Sequence, residues 1–85
     1  MALKTTTMLD LKQKIIHIIS DHLNVEASEV IATANFINDL GADSLDIVDL
    51  LVELEKKFNL IIPDEEAAGL TTVGELTNYI SKSLK

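Results

Sequence analysis

Ser44 is the residue around which this chain could build chemistry. It stands in the run Leu40-Gly41-Ala42-Asp43-Ser44-Leu45-Asp46, where an irregular stretch gives way to the most acidic helical pattern in the sequence. A hydroxyl at a helix start either serves as a plain cap or carries a covalent group. Catalysis by that serine would need a base within hydrogen-bonding reach and an oxyanion site, and Gly-Ala-Asp-Ser-Leu is not the Gly-x-Ser-x-Gly elbow. His17 and His22 are the only histidines. The first falls on the polar face of a predicted helix and the second near its end, so both are expected at the surface or against the helix dipole. The run from Asp39 to Asp43 lacks the spacing and terminal glutamate of a calcium loop, leaving only weak, delocalised divalent binding to the acids. No cysteine is present, which excludes a disulfide framework, a thiolate nucleophile and a zinc-thiolate site. These residues point away from an enzyme and from a bound metal.

The elements that must position Ser44 are helical. Apolar residues at Met8, Leu11, Ile15, Ile16, Ile18, Ile19 and Leu23 share one helical face, and Thr7 with Asp10 resembles a capped start, so a helix is predicted over residues 8–22. Residues 24–42 carry apolar points at Val25, Val30, Ile31, Phe36, Ile37 and Leu40 without a sustained period. They read as a long connection pinned to the core by those side chains, with room for a short turn of helix. A connection of that length is often functional. A second helix is predicted over residues 44–58, with Asp43 or Ser44 as cap and Gly41 supplying the turn before it. Pro63 and Asp64 open a short helix over 64–68 with Gly69 as its stop. Thr72-Val73-Gly74-Glu75 is a capping-box pattern, and Val73, Leu76, Ile80 and Leu84 form the face of the last helix. The expectation is an all-α domain spanning residues 1–85, with residues 1–6 flexible: a small bundle of three longer helices plus one short one.

Composition narrows the function further. The 85 residues allow one small domain, and the apolar 47% contains few aromatics (4%), giving an aliphatic core able to open for an aliphatic guest. The net charge of −7 is localised: residues 39–66 hold nine carboxylates against Lys56 and Lys57, and the remainder of the chain is balanced. Acids can simply maintain solubility, but this concentration disfavours nucleic acid and favours basic protein surfaces. No apolar run approaches a membrane span, and the first residues show neither a secretion-signal pattern nor arginine. A cytoplasmic, monomeric protein is expected.

Angular position on the second helix separates two apolar faces. With Ser44 at zero and ~100° per residue, Ile47, Leu50, Leu51, Leu54 and Phe58 cluster at about 240–340°, a core face. Leu45, Val48 and Val52 form a second stripe at about 40–100°, bordered by Asp46, Asp49 and Glu53 at about 140–200° and by Glu55 at about 20°. So small a bundle offers few neighbours to cover a helix on both faces. The stripe is therefore either covered by the long connection or exposed, and an apolar centre with a charged rim is the anatomy of a docking surface.

The run Phe36-Ile37-Asn38-Asp39-Leu40-Gly41-Ala42-Asp43-Ser44-Leu45-Asp46, followed by Val48-Asp49-Leu50, Glu53-Leu54-Glu55, Phe58, Ile62-Pro63-Asp64, Thr71-Thr72-Val73 and Tyr79-Ile80, resembles the discrete acyl carrier proteins of bacterial-type fatty acid synthesis. The resemblance implies that a phosphopantetheinyl transferase joins phosphopantetheine to Ser44, and that the arm's thiol carries acyl chains as thioesters. It implies further that Asp43, Asp46, Asp49, Glu53 and Glu55 meet basic surfaces of that transferase and of synthesis enzymes and acyltransferases, with Leu45, Val48 and Val52 filling the apolar centre. Lys56 and Lys57 depart from the acidic run common in such proteins. A carrier for a specialised pathway (polyketide, aminoacyl or peptidyl, or a dedicated lipid) shares most of these features, and an unmodified acidic helical adaptor shares the surface.

Overall fold

The computed structural model describes residues 8–83, with side chains from Asp10 onward. The cap expected at Thr7, the flexibility expected of residues 1–6, the Met8 side chain and the Leu84 end of the last apolar face lie outside the described residues. Four α-helices follow in order: α1 Met8–Leu23, α2 Ser44–Phe58, α3 Asp64–Ala67 and α4 Val73–Ser83. The architecture is the all-α bundle expected, and the long connection contains one 3-10 turn, Ala27–Glu29.

Each longer helix forms where its apolar period is regular. α1 buries Leu11, Ile15, Ile18 and Ile19, α2 buries Leu50 and Leu54, and α4 buries Val73, Leu76 and Ile80. α1 is the spine, packing on both α2 and α4. Each fully buried Leu or Ile contributes about 1.5–3 kcal/mol, which makes this aliphatic contact a large term holding α1 against α2 and α4. The one buried polar side chain among the described residues, Thr77, donates its hydroxyl to the Val73 carbonyl at 2.8 Å and leaves nothing unsatisfied.

Helix ends follow local chemistry. Asn24 and Asn59 adopt left-handed conformations (φ 59° and 53°) directly after α1 and α2, the conformation that asparagine tolerates best after glycine. α4 begins with the expected capping box: the Glu75 carboxylate accepts from the Thr72 N–H and the Thr72 hydroxyl accepts from the Glu75 N–H. Glu75 also accepts from the Thr71 N–H and hydroxyl, and this set of donors, led by the Thr71 N–H, holds its carboxyl below the usual carboxylate range. α3 ends at Ala67, one residue earlier than expected. Gly69 does not use the left-handed conformation of a glycine stop, because Ala68 continues the right-handed turn and the Gly69 N–H reaches the Glu66 carbonyl at 3.1 Å.

The long connection is tied down by backbone pairing that its sequence does not announce. Phe36 N–H donates to the Thr71 carbonyl, Val73 N–H to the Ala34 carbonyl and Gly74 N–H to the Ala32 carbonyl, at 2.9–3.1 Å. Val30, Ala34, Phe36, Leu40 and Ala42 are buried as anchors between these ties. Gly74 is required by this closeness, since a Cβ there would stand 3.0 Å from the Ala32 carbonyl oxygen and 3.3 Å from its Cβ. Alanine would gain about 1 kcal/mol of helix propensity, yet overpacking typically costs about 1–3 kcal/mol. Gly74→Ala is therefore expected to lower the melting temperature by several degrees, and a raised value would show that the connection yields at Ala32.

Candidate functional site

Ser44 is the first residue of α2, and its position is set from both sides. At the helix start, Asp43 and not Ser44 is the cap. The Asp43 carboxylate accepts from the Asp46 N–H at 2.9 Å, and the Asp46 carboxylate accepts from the Asp43 N–H at 3.2 Å. This reciprocal box brackets Ser44 and Leu45 and leaves the serine side chain with no structural task. On the other side, residues 35–42 close on themselves. The Asn35 side-chain oxygen accepts from the Ile37 and Asn38 N–H groups at 2.9 Å, Asp39 accepts from the Asn35 N–H at 2.7 Å, and the Ala42 N–H donates to the Phe36 carbonyl at 2.9 Å. Gly41, at φ +74°, makes the reversal that delivers the chain to Asp43. Nothing lies within 4 Å of a Cβ built there, so the requirement for glycine is conformational.

The result is an exposed Ser44 hydroxyl that makes no hydrogen bond to any described residue. The N–H groups of Ser44 and Leu45 likewise have no acceptor among the described residues, as expected for the first turn of a helix. Such a terminus stabilises an anion on the serine oxygen.

Beside the hydroxyl opens an apolar cleft of about 550 Å³ between α2 and the segment that contains α3. Its walls include Ile47, Val48 and Leu51 from α2, Ile62 and Leu70 from the segments flanking α3, and Ala67 from α3 itself. That volume lies within the ~300–1,000 Å³ typical of small-molecule pockets. Glu55 has a role here that sequence reasoning missed. Half-buried, its carboxylate accepts from the Ile62 N–H at 2.8 Å, latching the α2–α3 connection to the cleft wall. Of the other cleft residues, Ile37 reads in sequence as a pin to the core, and Ile62, Ala67 and Leu70 are not assigned to a cleft there, since no local period marks it.

The remaining residues singled out in sequence sort by exposure. Leu45 (73%), Val48 (54%) and Val52 (43%) are exposed, so the long connection does not cover the second stripe. Asp43, Asp46 and Asp49 are exposed and Glu53 is half-buried. Ile31 and Ile37, expected to pin the long connection to the core, are exposed instead, as is Ile61, because the connection is anchored through Val30, Ala34, Phe36, Leu40 and Ala42. Among the described residues no group of His, Cys, Asp or Glu could hold a metal ion, and no helix is long and apolar enough to cross a membrane.

A small helical bundle that offers an unengaged hydroxyl on an acidic helix, beside an apolar cleft, defines a carrier domain. Residues 13–80 match the family model described as "Phosphopantetheine attachment site". The chain is 53% identical over 78 residues to the acyl carrier protein of Porphyromonas gingivalis, covering 92% of this chain and 100% of that one. It is 47% identical over 77 residues to the acyl carrier protein of Amoebophilus asiaticus, covering 91% and 96% respectively. A solved acyl carrier protein from Enterococcus faecalis superposes with a TM-score of 0.77 at 38% identity, covering 91% of this chain and 98% of the other. The chain belongs to the acyl carrier protein family. It is an acyl carrier with a covalently attached phosphopantetheine group, and the free hydroxyl, the open helix terminus and the adjoining cleft fit that group.

Proposed function

We propose that Ser44 is the attachment point, and that the chain serves fatty acid synthesis in the cytoplasm as a monomeric carrier and not as a catalyst. The single observation that carries this reading is the Ser44 hydroxyl, exposed and without a partner at the open end of a 15-residue helix. Both histidines lie on α1, and the serine has no hydrogen-bonded base. When attached, the group supplies a flexible arm ending in a thiol that bears acyl chains as thioesters. The chain's own residues hold the serine outward, keep its first-turn N–H groups open to a phosphodiester, and offer the cleft to an aliphatic chain. Asp46, Asp49 and Glu53 border one side of an apolar patch of Leu45, Val48 and Val52, with Asp43 at the helix start, which suits the basic surfaces of a phosphopantetheinyl transferase and of synthesis enzymes. Glu55, on the other side of the stripe, belongs to this docking set as well and also latches the cleft wall by accepting from the Ile62 N–H. Relatives that match from end to end do not favour a specialised carrier or an unmodified adaptor.

Incubation with coenzyme A and a broad transferase should raise the intact mass by one phosphopantetheine moiety, and fragmentation should place it on Ser44. A modification mapped to any other residue, or none at all, overturns the assignment.

The cleft makes a second expectation. Each methylene buried gains about 0.8 kcal/mol, so an eight-carbon chain gains several kcal/mol less the cost of moving α3, which packs on no other helix to the extent that α1 packs on α2 and α4. A tethered chain also searches at an effective concentration on the order of millimolar. Octanoylation should shift the amide resonances of Leu51, Ile62 and Leu70. Identical spectra for octanoylated and unacylated protein would show that the acyl chain stays in solvent.

A further inference from the structure

The exposed face of α2 carries both signs of charge, in sequence along its axis. Asp46 and Asp49 stand near the Ser44 end, while Lys56 and Lys57 occupy the last turn, and all four are exposed. At ~100° per residue Lys56 falls at about 120°, directly below Val52 and Leu45 and beside Asp49, and Lys57 falls at about 220°, just past Asp46 and Glu53. Lys56 therefore borders the apolar stripe, and Lys57 continues the acidic face beyond it. Neither forms an ion pair with a described carboxylate. Glu55, the acid adjacent in sequence, lies on the other side of the stripe and is committed to the Ile62 N–H. Lysines in a last turn also favour the helix dipole, but that service leaves their charge on the surface.

The charge changes sign along the axis. From Asp46 to Lys56 the helix rises about 15 Å and from Asp49 to Lys56 about 10 Å, one to two Debye lengths at physiological ionic strength, and the half-buried Glu53, one turn before the lysines, forms no ion pair with either. A partner that is basic throughout would gain at the Ser44 end and be opposed at the Phe58 end.

We propose that α2 selects partners by this polarity. The favoured partner presents arginine or lysine to Asp46 and Asp49, an apolar centre to Leu45, Val48 and Val52, and carboxylates about 15 Å further along to Lys56 and Lys57. This inference rests on the carrier reading. It adds to it that the lysines attract a subset of partner enzymes and discriminate against uniformly basic ones.

The test measures association of the phosphopantetheine-bearing protein with the acyl-transfer enzymes of its own organism, comparing wild type with Lys56→Glu/Lys57→Glu and with the neutral Lys56→Gln/Lys57→Gln, which spares the helix end from reversed charge. At least one enzyme should associate about tenfold more slowly with the reversed variant and less markedly so with the neutral one, both effects vanishing at high salt. Reversing the facing carboxylates on that enzyme should restore the rate. If every enzyme meets the reversed variant as fast or faster, the inference is wrong. It is equally wrong if sedimentation shows wild-type dimers that the reversed variant does not form, because the polar face would then be self-complementary and occupied by a second copy. The final yield of Ser44 modification, read in the same samples, separates failures: absent modification removes the carrier reading, whereas full modification with indifferent lysines removes only this inference.

Discussion

Ser44→Ala abolishes phosphopantetheine attachment completely while leaving the bundle as stable as before. Both halves of that expectation come from the same geometry. The serine is neither the cap nor a hydrogen-bond donor to any described group, since Asp43 and Asp46 close the helix start without it. Exposed positions without such duties usually change stability by no more than about 0.5 kcal/mol, and alanine is favourable in a first turn. The phosphodiester, by contrast, needs an oxygen at this position, and no neighbouring residue of the helix start supplies a hydroxyl. Ser44→Thr keeps the oxygen but adds a β-branch that restricts its rotamers, so modification should be slowed and not eliminated. Intact mass after exhaustive incubation with coenzyme A and transferase, together with thermal unfolding of each variant, checks both parts. A mass gain persisting in Ser44→Ala would place the acceptor elsewhere and undo the site.

The second large effect concerns charge. Replacing Asp46, Asp49 and Glu53 by lysine should slow modification by a basic transferase by one to three orders of magnitude at low salt, because long-range attraction sets the encounter rate of oppositely charged surfaces. The difference should shrink as ionic strength rises and the Debye length falls below ~8 Å. The three acids are not equivalent, however. Asp46 belongs to the capping box, whose loss costs about 1 kcal/mol. Glu53 is half-buried, whereas Asp49 is exposed and makes no hydrogen bond or ion pair with a described residue. Asp49→Lys is therefore the cleaner probe, with a smaller loss of rate and no change in melting temperature. Equal modification rates for wild type and both variants at low salt would remove the acidic face from recognition.

How far the sequence could be read depended on the range over which each interaction acts. Helix α2 was legible to the residue, Ser44–Phe58, because its apolar period repeats every three or four positions and a capping residue stands at its start, although which of Asp43 and Ser44 is the cap only the Asp43–Asp46 box decided. The box at Thr72 and Glu75 was legible for the same reason, as was the second stripe at Leu45, Val48 and Val52, which angular position alone separates from the core face. Local periodicity left open whether the long connection covers that stripe, and its exposure came from the tertiary structure. The left-handed Asn24 and Asn59 left the ordinary trace of an asparagine after a helix, although it was not read. What no local pattern could disclose was how segments far apart in the chain meet. Residues 32–36 pair with 71–74 through backbone groups that every residue type possesses. The Glu55 latch to Ile62 gives a structural duty to a carboxylate that looks, in sequence, like the acids around it. The cleft exists only because α3 is set against α2 by these ties. Composition and spacing determined which helices form and which serine begins the second. Tertiary packing decided that this serine stands free beside an apolar space, because backbone hydrogen bonds and excluded volume depend on where the chain returns and leave no periodic mark on it.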